Sequence, residues 1–167
     1  MSFLLAVLAV GGSLLVQAAV GAWAPGAQRT VDAMLWPVAY YALARSQRSA
    51  MLVGCAAGLV QDAWFEAGSF GVHGFVKTLL GWALGGVGSR FDLNRFLGQF
   101  FGGALLFAGD RLVETGLMLL LDLEVSPMRP APLVAAAAIN GVLVTGVFAV
   151  VQRTAGRNSR RPIRRRG

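Results

Sequence analysis

Most of the chain consists of long apolar segments separated by short polar breaks. The first of them, Phe3–Ala24, is interrupted only by small residues and Gln17, and about 20 apolar residues suffice for a helix that spans a bilayer. Of the 167 residues, 56% are hydrophobic and 14% are charged, whereas soluble domains carry about 25% charged residues. Because so few charges cannot cover a normal water-exposed surface, the sequence predicts an all-α, polytopic membrane protein.

Six segments follow one another, and each is expected to form a transmembrane helix of a compact bundle. They are Phe3–Ala24, Val31–Ala44, Ser49–Phe65, Gly71–Gly88, Phe96–Leu121 and Leu133–Val151. The second segment is short and contains Pro37, so we expect it to be tilted, kinked or partly interfacial, since aromatic residues such as Tyr40 favour the headgroup region.

The first segment ends in Ala22-Trp23-Ala24, which resembles a signal-peptide cleavage site. No basic residue precedes it, however, so a retained helix is favoured over a cleaved signal.

Basic residues are concentrated on one side of this arrangement. The loops after the second and fourth segments carry two arginines each, and the tail 153–167 carries seven. The loops on the other side, at 25–32, 66–70 and 122–132, carry only Arg29 and Arg129, and Asp32 belongs to the first of these loops. Because cytoplasmic loops are rich in lysine and arginine, both termini are predicted to be cytoplasmic, with residues 1–152 forming the transmembrane domain. A basic tail beside a membrane segment indicates contact with anionic lipid rather than with nucleic acid.

Glycines recur at helical spacing in three of the segments. The pairs are Gly54 with Gly58, Gly81 with Gly85, and Gly98 with Gly102. Residues four apart share one face of a helix, where glycine lets another backbone approach closely. Packing inside the bundle is the favoured interpretation, and docking of a helix from another protein is the alternative.

Several polar side chains fall inside the apolar segments, where charges are unfavourable and usually serve a function. The third and fourth segments form a hairpin, so Asp62 and Lys77 are predicted to lie at similar depth and to pair. Arg111 and Glu114 are three residues apart and are expected to pair on one helix face. Asn140 is expected to hydrogen-bond across helices. Because the charges are few and nearly balanced, structural pairing or partner binding is favoured over proton transport.

The composition argues against catalysis and metal binding. Cys55 and His73 are the only cysteine and histidine, so neither an intramolecular disulfide nor a structural zinc site can form. Ser69 and His73 are four apart, with Asp62 nearby in sequence, but nothing indicates a strained nucleophile turn or an oxyanion hole. The sequence contains no phosphate-binding loop or dinucleotide motif. We therefore expect neither enzymatic activity nor a cofactor.

Two short motifs indicate a family. Residues Gly58–Asp62 read GLVQD and are followed by Phe70–Gly74, which read FGVHG. This combination resembles the GLxxD…LG pattern of the bacterial rod shape-determining protein MreD family. The order of the other features is similar to that family as well: an aromatic second segment, a fifth segment with an acid, Asn140-Gly141 in the last segment, and a basic tail.

Some residues depart from the family pattern. Val31 stands where a proline commonly precedes the acid, and Lys77 and the Asp110-Arg111 pair are not expected. The candidate structural or partner-contact residues are Gly54, Gly58, Asp62, Gly71, Lys77, Arg111, Glu114 and Asn140.

The resemblance implies a small, non-catalytic scaffold in the bacterial inner membrane, which helps control cell shape and peptidoglycan synthesis within the elongation machinery. It implies binding to MreC, a protein with one membrane helix, and through MreC a link to MreB, RodA and a class B penicillin-binding protein. The family fold is similar to that of the S-components of ECF vitamin transporters. The alternative function is therefore an S-component-like binder of a small molecule, in which Glu66, His73 or Asn140 would contact the ligand.

Overall fold

The computed structural model describes residues 3–65, 70–90, 95–123 and 129–159, and these form six α-helices and a short 3₁₀ helix. The α-helices are α1 (Phe3–Trp23), α2 (Leu35–Ala44), α3 (Gln47–Phe65), α4 (Val72–Arg90), α5 (Phe96–Leu120) and α6 (Pro130–Ser159), and the 3₁₀ helix is Pro25–Arg29. The prediction of an all-α chain with six helical segments is confirmed. The sixth helix continues past the predicted Val151 into the basic tail. Glu66 and Ser69 lie outside the described residues.

The second helix is shorter and more buried than the sequence suggested. It has 10 residues, which at the helical rise is about 15 Å, or half of a hydrocarbon core about 30 Å thick. Its buried residues are Leu35, Pro37, Val38, Ala39, Tyr41, Ala42 and Leu43. That this segment is tilted, kinked or partly interfacial stays a prediction. Pro37 falls in the first turn, where proline replaces an N–H that would have no helical partner.

Helices α3 and α4 pack against each other as an antiparallel hairpin. Glycines mark the closest approaches, because a Cβ on Gly54 would overlap with the carbonyl oxygen of Lys77, and one on Gly58 would overlap with that of His73. From the other helix, a Cβ on Gly81 would lie 2.6 Å from a backbone carbonyl oxygen of α3. These glycines serve packing inside the bundle, as their spacing predicted.

The outward surface is apolar, although only some helices are apolar throughout. Among the exposed large hydrophobic residues are Leu15, Leu52, Trp82, Phe101 and Val142, which lie on five different helices. By length and mean hydropathy, the described helical stretches that qualify as membrane spans are Leu4–Trp23 and Pro130–Thr154. Helices α3, α4 and α5 have a lower hydropathy partly because they contain buried polar residues, which are Gln61, Asp62, His73, Lys77, Gln99 and Asp110.

Candidate functional site

Three charged side chains meet in the interior of the bundle. Lys77 of α4 is 0% exposed, and its Nζ donates to Oδ2 of Asp32 at 2.7 Å and to Oδ1 of Asp110 at 3.1 Å. Asp32 precedes α2, and Asp110 belongs to α5. We call these three residues the lysine cluster. Because an unpaired charge in such surroundings costs several kcal/mol, the two salt bridges make the burial of Lys77 tolerable.

The predicted pair of Asp62 and Lys77 does not form. In the hairpin, Gly54 lies opposite Lys77, and Gly58 lies opposite His73. Asp62 is one turn further along α3 than Gly58, so it lies closer to the hairpin turn than Lys77 does. The prediction placed the two side chains at a similar depth. In the structure they are separated along the helix axis by about two turns, because the residue of α3 opposite Lys77 is Gly54 and not Asp62.

Asp62 instead caps the beginning of α4 from the neighbouring helix. Its Oδ2 accepts from the N–H groups of Gly71 at 2.9 Å and Gly74 at 3.1 Å, and its Oδ1 accepts from the N–H of His73 at 3.3 Å. The first N–H groups of a helix have no partner within the helix, and a carboxylate satisfies them well. Gly71 has a φ of +99°, which glycine adopts without strain.

A second set of charges extends from this cap to α5. His73 Nδ1 lies 2.8 Å from Asp62 Oδ1, and its Nε2 lies 3.3 Å from Glu114 Oε1. Arg111 Nη1 donates to Glu114 Oε2 at 2.9 Å, which confirms the predicted pair. We call these four residues the histidine cluster. A neutral imidazole has one N–H, so it can donate to only one of the two carboxylates. For both ring nitrogens to make a hydrogen bond, the three side chains of Asp62, His73 and Glu114 must share one proton more than a neutral imidazole and two carboxylates hold.

Replacing Asp62 by alanine is expected to lower the free energy of unfolding by about 2 kcal/mol or more, since hydrogen bonds to a charged group contribute about 1.5–3 kcal/mol. Adding Lys77→Ala should not restore stability, because the two side chains have different partners. Thermal unfolding in detergent measures both effects. A double variant more stable than Asp62→Ala alone would contradict this assignment of partners.

The neighbouring Gln61 offers a matched control for this experiment. It is also buried on α3, but its Oε1 has no hydrogen-bond partner among the described residues. Gln61→Ala should therefore change stability less than Asp62→Ala does.

Residues 30–34 enter the interior without forming part of an α-helix, and side chains from α1 and α6 bind their backbone. Asn140 Oδ1 accepts from the N–H of Asp32 at 3.2 Å, and Asn140 Nδ2 donates to a carbonyl oxygen of the same segment at 2.7 Å. Gln17 Oε1 accepts from the N–H of Ala33 at 2.7 Å. Irregular backbone away from water needs such partners. Asn140 was expected to hydrogen-bond across helices, and its partners outside α6 lie instead in the non-helical segment 30–34.

The sequence interpretation missed the structural roles of Gln17 and Asp32. Gln17 is a strongly polar residue in an otherwise apolar segment, and this was a signal for a buried hydrogen bond. A second signal was the presence of Lys77 and Asp110, which both depart from the family pattern and prove to be partners. Asp32 could not be matched to them, because its loop was expected to lie outside the membrane.

The fold and the two clusters define a class of protein: an all-α bundle that pairs buried charges in its interior and exposes many large hydrophobic side chains. A family model described as rod shape-determining protein MreD matches residues 3–153. Because the match covers most of the chain, this protein belongs to the MreD family. It is therefore a membrane-associated protein involved in the determination of rod shape.

The other two comparisons found nothing similar. Neither a search of curated proteins nor a search of solved structures produced a match. The expected similarity to ECF S-components thus has no support from a known structure.

Proposed function

We propose that this protein is a non-catalytic, multi-pass scaffold of the bacterial inner membrane that binds MreC within the elongation machinery. The observation that carries the multi-pass assignment is the inverted polarity of the bundle. Lys77, Asp110 and Asp62 are at most 4% exposed, whereas Leu15, Leu105 and many other large hydrophobic residues are more than half exposed. An apolar surface of this kind is compatible with contact to lipid chains. Because the buried charges are paired, helices of lower hydropathy can also cross the bilayer.

The positions of the basic residues support a topology with both termini in the cytoplasm. Leu43, at the end of α2, packs near Gly88 of α4 and Gly102 of α5. The adjoining ends of these helices carry Arg45, Arg90 and other arginines. One end of the bundle is therefore basic, which is the property of cytoplasmic ends. We also propose that α1 is retained, because its Gln17 supports the interior segment before α2.

The burial of the polar groups favours a scaffold over a small-molecule binder. His73 and Asn140, which would contact a ligand in the alternative function, are 5% and 1% exposed. Their polar atoms already have partners within the protein. The exterior remains for binding, and a membrane helix such as that of MreC would associate with it through close packing of small residues. MreB, RodA and the penicillin-binding protein would be reached through MreC.

Copurification with MreC tests this proposal. Full-length MreC produced together with this protein should remain bound after extraction in mild detergent, whereas MreC without its membrane helix should not. Gly11, Gly116 and Gly146 have no atom within 4 Å of an added Cβ, so leucine at each should not lower the midpoint of thermal unfolding. Loss of MreC from one of these variants would locate the interface. A folded wild-type protein that retains no MreC would contradict the proposal.

A further inference from the structure

A groove of about 660 Å³ lies between α1, α2 and α6. Its walls are mainly apolar and include Leu8 and Gly12 of α1, Tyr40 of α2 and Val147 of α6. Helices α1 and α6 do not pack against each other, so the groove opens sideways between them. Its volume falls within the range of sites that bind small ligands, about 300–1,000 Å³.

The length of the groove corresponds to one leaflet of a bilayer. Along α1 it extends from Leu5 to Val16, which at the helical rise is about 16 Å. Along α2 it extends from Trp36, in the first turn, to Arg45, just after the last. The hydrocarbon core is about 30 Å thick. A transmembrane helix would need the whole thickness, whereas a lipid chain occupies half of it.

A cation stands at one end of this apolar groove. Arg45 is exposed, and no carboxylate pairs with it in the part of the chain that the structure describes. Its Cζ lies 6.0 Å from the centre of the Tyr40 ring. Arg48 and Arg153 are exposed as well, and Thr154, the residue after Arg153, lines the groove. A guanidinium with free donors binds phosphate through two parallel hydrogen bonds.

We propose that this groove binds one anionic phospholipid, with its phosphate on Arg45 and an acyl chain along α1, α2 and α6. The apolar walls are as long as one leaflet is thick, which matches the acyl chain of such a lipid. The arginine at the end of the walls matches its phosphate headgroup. The assignment to the cytoplasmic leaflet rests on the topology proposed above. The lipid binding itself does not require MreC.

The test counts lipids on the purified full-length protein. The protein is reconstituted in vesicles of equal parts phosphatidylglycerol and phosphatidylethanolamine, extracted again in mild detergent, and examined by native mass spectrometry. We expect one phosphatidylglycerol per chain. Gly12→Leu fills the groove at a position where an added Cβ meets nothing within 4 Å, and should reduce retention by about tenfold or more. Gly11→Leu, which is equally open but does not line the groove, should retain the lipid.

The headgroup contact is tested by a second pair of variants. Arg45→Gln should lower the preference for phosphatidylglycerol over phosphatidylethanolamine by about fivefold, the effect of one basic residue at an anionic surface. Arg48→Gln, which does not line the groove, should leave the preference unchanged. Both side chains are exposed, so neither change should impair folding.

Three results would overturn the proposal. Equal retention by Gly12→Leu and Gly11→Leu would mean that lipid does not occupy the groove. Equal effects of Arg45→Gln and Arg48→Gln would mean that basic residues attract anionic lipid only diffusely. Disulfide formation in membranes between Gly12→Cys and a cysteine introduced into the MreC helix would mean that a protein helix fills the groove. Lipid retention is measured without MreC, so the two experiments are independent. The protein can bind MreC without retaining lipid, and it can retain lipid without binding MreC.

Discussion

Replacing Lys77 by methionine is expected to destabilise the protein by at least about 3–5 kcal/mol, the range found when one partner of a buried ion pair is removed. Methionine fills much of the space of lysine, so packing changes little. Asp32 and Asp110, however, would remain 1% and 0% exposed without a counter-charge. Since domains are stable by only about 5–15 kcal/mol, much of the variant should fail to fold. The yield of monodisperse protein and the midpoint of thermal unfolding in detergent measure the loss.

Removing all three charges together separates the loss of pairing from the loss of lysine itself. The combination Asp32→Asn, Lys77→Met and Asp110→Leu should recover much of the stability, because neutral replacements of a whole buried ion cluster are often tolerated. Asparagine at position 32 keeps an oxygen for the N–H of Met34. Arg153→Met, which removes an exposed base, should change stability little. If Lys77→Met matched Arg153→Met, the lysine cluster would not hold the fold together.

Replacing Gly58 by alanine is expected to destabilise the α3–α4 hairpin by about 1–3 kcal/mol or more, the usual range for an overpacked site. The new Cβ would overlap with the carbonyl oxygen of His73 and lie 2.5 Å from the Cα of Gly74. Both are backbone atoms, which cannot rotate away as a side chain would. The helices must separate, and this also weakens the contacts that Asp62 makes with the start of α4. Thermal unfolding of the purified protein measures the change.

Gly146→Ala in α6 is the matched control for this substitution. An added Cβ at Gly146 meets nothing within 4 Å, so only the helix propensity changes. Alanine is more favourable than glycine in a helix by about 1 kcal/mol, and the control should therefore be slightly more stable than the natural protein. If the two alanine variants shifted the unfolding midpoint in the same direction, close packing at Gly58 would not be what limits its size.

Local properties of the chain predicted the helices and some of the contacts. Apolar segments bounded by charges and prolines predict where helices form, because the length and hydropathy of a segment can be read from that segment alone. The pair Arg111–Glu114 followed from a spacing of three on one helix. The packing of Gly54 and Gly58 inside the bundle followed from a spacing of four and from the neighbouring antiparallel helix.

The partners of the buried charges did not follow from the sequence. Asp62 and Lys77 lie in one hairpin, yet their predicted pairing failed, since the packing of the two helices decides which residues face each other. Asp32 was assigned to an outer loop, but its segment enters the interior, where Asn140, 108 positions away, binds its N–H. Patterns of residue spacing within one helix or hairpin cannot predict a contact between residues so far apart in the sequence.

The sequence by itself thus determined that this protein is an all-α bundle with six helical segments, a few polar residues within them, and the family motifs around Gly58–Asp62. Only the tertiary structure decided that Lys77 bridges Asp32 and Asp110, that Asp62 caps α4, and that the short α2 leaves a groove ending at Arg45. The physical reason is that helix formation depends on neighbours along the chain. The pairing of a buried charge depends instead on which acids the packed helices bring within about 3 Å of it.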